Sequence, residues 1–71
     1  MQYFIRTNGA EQIVDVAQGS DGWQELKEIC YDLVKTATSN LEPDDEWRIE
    51  LFDQDHKPRF IIRLAGQAVE L

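Results

Sequence analysis

The sequence predicts a single α+β domain with the element order strand, strand, helix, strand, strand. Three observations predict it. Asn8-Gly9 separates two short runs rich in aromatic and β-branched residues. Apolar residues recur at three- and four-residue steps from Trp23 to Ala37. From Trp47 to Leu64 apolar and charged residues alternate, break at "DQDHK" and alternate again. The 71 residues suffice for one small domain spanning 1–71, with 65–71 read as a flexible tail.

The elements follow in order. Gln2 to Thr7, "QYFIRT", reads as a strand. Asn8-Gly9 is a strong hairpin signal, because a type I′ turn needs positive φ at both central positions. A two-residue turn pairs Phe4 with Ile13 and Tyr3 with Val14, and makes Gln12 to Val16 a short edge strand. "QGSDG" breaks the pattern, and Ser20 or Asp21 can cap a helix by accepting a free backbone N–H. Trp23, Leu26, Ile29, Cys30, Leu33, Val34 and Ala37 then form one apolar helical stripe. "TSN" ends the helix, with Asn40 expected in the left-handed region. Pro43, within the acidic connector "LEPDDE", forbids its continuation. The last two strands form a hairpin around "DQDHK".

One helix among four strands must bury its stripe against a single sheet face. Placing the first and last strands side by side and parallel gives the order 2-1-4-3, with a right-handed crossover. This is a β-grasp-like arrangement. The chain's own segments carry matching resemblances. "MQYFIRT" resembles the first strand of ubiquitin and "RFIIRLAG" its last. No terminal Gly-Gly follows, so conjugation is not implied. "MQYFIRTNG" and "DEWRIELFDQDHKPRF" are similar to the two hairpins of the protein G immunoglobulin-binding domain. The helix and connector do not match it, so antibody binding is not implied either. Tyr3, Phe4, Asn8, Gly9, Trp47, Arg48, Ile49, Glu50 and Asp53, set around an amphipathic helix, resemble a family of short uncharacterised bacterial domains. That family has Gly in its last turn where this chain has His56. The resemblance implies a fold and no activity.

Composition narrows the function classes. Seven basic and fourteen acidic residues give a net charge of −7. That argues against nucleic acid as partner, since duplex binding needs a positive surface. It suits solubility or a basic partner. No apolar run approaches the roughly 18 residues of a membrane span, and the first residues do not read as a signal peptide. With Cys30 the sole cysteine, a reducing cytoplasm is the expected setting. Cys30 falls on the apolar stripe and reads as a structural thiol. His56 falls in a turn that tolerates positive φ. Asp53, Asp55 and His56 resemble metal ligands, but a calcium loop starting at Asp53 would need Gly and Glu where Pro58 and Leu64 stand. Zinc would want more Cys or His. The expectation is a non-enzyme with no cofactor and no metal.

Strand parity then divides the sheet. Tyr3, Ile5, Trp47, Ile49, Leu51, Phe60, Ile62 and Leu64 face the helix. Phe4, Ile13, Phe52 and Ile61 face outward, ringed by Arg6, Arg48, Arg63 and Glu50. An apolar patch with an arginine rim is a typical protein-binding surface. The expectation is therefore an interaction module whose open sheet face binds a protein partner or forms a homodimer. Three other readings compete. One is cross-strand packing under arginine stems. Another is single-stranded nucleic acid stacked on Phe4 and Phe52. The third is an acidic nucleic-acid mimic using Glu25, Glu28, Asp32, Asp44 and Asp45 on a basic protein.

Overall fold

The computed structural model describes residues 1–70 of the chain. It contains β1 (Gln2–Thr7), β2 (Ala10–Asp15), α1 (Trp23–Ser39), β3 (Glu46–Phe52) and β4 (Pro58–Ala65). Asn8 and Gly9 adopt φ 48° and 83°. The resulting register pairs Phe4 with Ile13 and Tyr3 with Val14, as a two-residue turn demands. Val16 lies just past β2, where its N–H donates to the Met1 carbonyl at 2.8 Å.

The four strands form one sheet in the order β2-β1-β3-β4, antiparallel throughout. This corrects the expected 2-1-4-3 order: β1 lies beside β3, not beside and parallel to β4. The physical reason is burial and charge. A central strand is covered on both sides, and β3 carries the side chains for it: Trp47, Ile49 and Leu51 are buried inward and Phe52 outward. The apolar residues of β4, Phe60, Ile62 and Leu64, are only half-buried, as suits an edge. The seam between β1 and β3 also sets Arg6 opposite Glu50 and Phe4 opposite Phe52. Opposite charges and aromatic pairs directly across a ladder are stabilising. The arginine-rich β4 offers Arg6 no such partner.

Tyr3, Ile5, Val16, Leu26, Ala37, Trp47, Ile49 and Leu51 make the core. Ile29, Cys30 and Leu33 of the helical stripe pack partly buried against it. Trp23 and Val34 sit at the margin of the stripe and stay exposed. Trp23 tilts over Phe60 with ring centroids 5.1 Å apart.

The helix ends differ from expectation at both termini. Gly22, not Ser20 or Asp21, is the N-cap, with φ 89° and no side-chain cap. Ser20 Oγ accepts the Gly22 N–H at 3.1 Å and Asp21 Oδ1 accepts the Trp23 N–H at 3.0 Å. The cap falls on glycine because this point of the chain lies against Tyr3 and Leu51, where no Cβ fits. Asn40 has φ −102° rather than a left-handed value. Its backbone and side-chain N–H groups both donate to the Thr36 carbonyl, which closes the helix without a left-handed residue. Beyond it, the Asp44 N–H donates to the Gly66 carbonyl and the Gly66 N–H to the Asp45 carbonyl, each at 3.0 Å. The connector is thus tied to the end of β4. Of the segment 65–71, Ala65 belongs to β4, and Leu71 lies outside the described residues.

Candidate functional site

The sheet face away from the helix gathers every outward residue the strand parity selects. Its rows run Ile13, Phe4, Phe52, Pro58, then Glu11, Arg6, Glu50, Ile61, then Arg48, Arg63. A bulge between Leu51 and Phe52 on the β3–β4 ladder leaves Arg59 beside Pro58.

The aromatic pair is not a bare patch. The Arg6 guanidinium lies 4.7 Å from the centroid of Phe52, whose ring is only 8% exposed. The His56 ring stacks on Phe4 at 3.8 Å and 19°. Glu11 Oε1 lies 3.7 Å from Arg6 Nη2 and 3.8 Å from His56 Nε2, beside both covering groups but beyond hydrogen-bond distance of either. Half of the outer face is therefore a second small packing layer. Ile13, 61% exposed, and Ile61, 39% exposed, remain open to solvent.

The covering by His56 was missed at the level of sequence. A histidine in a turn carries no periodicity, and its target lies on another hairpin. The turn itself depends on Asp53. Asp53 Oδ1 accepts the Asp55 N–H at 2.9 Å and the Lys57 N–H at 3.0 Å, and His56 takes φ 59°. The Lys57 N–H above all holds the Asp53 carboxyl below its ordinary range. Partial burial pushes the other way, and the Asp55 N–H with the Arg59 and Lys57 charges adds to the lowering. A carboxyl with a lower pKa folded than unfolded adds stability that is fully present above the unfolded value. That stability is lost as pH falls through the folded value. Below about pH 4 the melting temperature of Asp53→Asn should therefore fall less steeply than that of the wild type. Parallel slopes in circular-dichroism melts from pH 6 to 2 would remove Asp53 from the acid response.

The charge on the outer face is mixed. Arg63 Nε lies 3.4 Å from Glu46 Oε1, and Arg59 Nη1 4.0 Å from Asp53 Oδ2. Arg48 contacts no carboxylate among the described residues, although it stands directly opposite Arg63. A polar groove of about 360 Å³ runs beside it, lined by Arg6, Asn8, Gly9, Glu46, Arg48 and Glu50.

Half of the acidic residues lie elsewhere. Seven of the fourteen fall between Asp21 and Asp45, among which the only basic residues are Lys27 and Lys35. Glu25 accepts the Ser20 hydroxyl at 3.2 Å, and Glu28 the Gln24 side-chain amide at 3.3 Å. Asp45 Oδ1 accepts the Glu46 N–H at 3.0 Å, and Asp44 Oδ1 the Ala68 N–H at 3.4 Å. Asp21 likewise accepts the Trp23 N–H, and among the described residues only the Asp32 and Glu42 carboxylates of this set make no such bond, so most of them serve local structure.

A cleft of about 320 Å³ opens between the C-terminal half of α1 and the start of β3, lined among others by Thr7, Leu33, Ala37 and Trp47. Neither Cys30 nor His56 lines it. Among the described residues no three metal-binding side chains come together, and no helix is long and apolar enough to cross a membrane. Comparison with protein-family models, with curated proteins and with solved structures finds no match.

Proposed function

We propose that this protein is a non-enzymatic interaction module that binds an acidic protein segment on the open face of its sheet. The observation that carries the reading is the pair Arg48 and Arg63. Like charges directly opposite on a ladder are destabilising. Arg63 is paired with Glu46, whereas Arg48 makes no ion pair among the described residues with the Glu46 and Glu50 that line its groove, and the exposed Ile61 stands diagonally across on β4. A like-charged pair of which only one member has an ion-pair partner among the described residues points to a function outside the chain. A carboxylate from a partner, bound bidentately by Arg48, would relieve the repulsion. The neighbouring Ile61 supplies the apolar contact.

Phe4 and Phe52 support this reading over base stacking, because His56 and Arg6 already occupy the faces that bases would need. The test compares proteins retained by immobilised wild type, Arg48→Glu, Ile61→Asp and, on the opposite side, Asp32→Asn. The first two should lose the partner by about tenfold or more, since charge reversal sets like charges together. Asp32→Asn should keep it. Undiminished retention by Arg48→Glu would sink the proposal.

A further inference from the structure

The two edges of the sheet fit one another. We propose that β4 of one copy pairs with β2 of the next, so that copies associate head to tail through a continuous sheet. This stands on the edges rather than on Arg48, although it shares Ile61 with the partner site proposed above.

The direction follows from the topology. All neighbouring strands are antiparallel in the order β2-β1-β3-β4, so β2 and β4 run in opposite senses. A second copy set beside the first in the same orientation therefore brings its β2 antiparallel to β4, with both helices on one side. The register follows from the side chains. Glu11, Ile13 and Asp15 point outward on β2, opposite Arg6, Phe4 and Gln2. Ile61 and Arg63 point outward on β4, with Arg59 in the bulge beside them.

Antiparallel pairing of Ile13 with Ile61 of the neighbouring copy sets Glu11 against Arg63 and Asp15 against Arg59. It also joins Val14 to Phe60 on the inner face. Both isoleucines are among the exposed large apolar residues of the chain, and this register covers them together. Shifting by two residues sets a charge against an isoleucine, and shifting by one turns every side chain to the wrong face.

Three of the four charged residues are available to take part, and Glu11, exposed and only loosely held near Arg6 and His56, can reach Arg63 as well. Arg59 and Arg63 side chains are 45% and 62% exposed, and their present partners are surface contacts of the weakest kind. Asp15 has no basic partner among the described residues. β2 carries neither lysine nor proline along Ala10–Asp15, and its two edge charges, Glu11 and Asp15, are the ones this register matches with arginines. Such a contact is heterologous and does not close on itself in a pair, so it propagates.

Sedimentation velocity over rising concentration tests it. Wild type should grow beyond the 8.3 kDa monomer in a continuous series. Asp15→Arg alone and Arg59→Glu alone should stay monomeric, with circular dichroism confirming that each is folded. Mixing the two variants should restore association, since each then meets the opposite charge on the other. A wild type monomeric at every concentration overturns the proposal. So do single variants that associate as the wild type does, a mixture that restores nothing, or growth that stops at two copies, as face-to-face sheet packing would give.

Discussion

Replacing Gly22 by alanine should destabilise the fold by about 2–5 kcal/mol. Two effects add. Gly22 holds φ 89° at the helix start, a region where an L side chain meets the following carbonyl. An added Cβ would also stand 2.6 Å from Leu51 Cδ2 and 3.2 Å from the Tyr3 ring, inside the packed core. Leu51 is fully buried and has no room to withdraw. A chain of this length has roughly 4–10 kcal/mol of total stability, so a melting temperature lower by about 10 °C or more is expected. Gly19 provides the control. Its φ is 88° but nothing lies within 4 Å of the added Cβ. Gly19→Ala should show only the backbone part, about 1–2 kcal/mol. Equal losses for the two variants would refute the packing argument.

Phe52→Ala should cost about 3 kcal/mol or more, a core-sized loss from a residue on the face turned away from the helix. The buried ring stands on the outer face directly across the ladder from Phe4, and Arg6 lies over it. Truncation removes that burial and leaves the guanidinium without its platform. Ile61→Ala, one strand over and already 39% exposed, should cost under about 1 kcal/mol. Urea unfolding of both variants decides the point. A Phe52→Ala protein as stable as Ile61→Ala would show that the outer layer contributes nothing. The same reasoning makes Phe52 a poor probe of binding, because its loss damages the fold first.

The elements themselves were legible, because each rests on local chemistry. Asn8-Gly9 dictates its turn and therefore its register, and the stripe from Trp23 to Ala37 dictates the helix. The sheet order was not legible. It depends on which of two amphipathic strands lies beside β1, and parity is the same for both. The deciding features were Glu50, available to Arg6, and Phe52, which breaks the alternation of β3 by being buried on the other face. The outward residues could be identified from parity alone, but not their covering. His56 reaches Phe4, and Glu11 reaches His56, only because separate hairpins meet. The helix cap eluded the sequence for a similar reason. Ser20 and Asp21 are the better cap residues, yet only Gly22 fits beneath Leu51.

The seam between β1 and β3 has a kinetic consequence. Each hairpin closes over a short turn and can form early from neighbouring residues. Phe4 and Phe52, or Thr7 and Ile49, are more than forty positions apart in the chain and meet only when the two halves dock. That docking carries the loop-closure entropy, so the rate of folding is set at the seam. Changes at Arg6, Glu50, Phe4 and Phe52 then act on how fast the protein forms. Changes along the outer edge of β4 act on how long it lasts once formed.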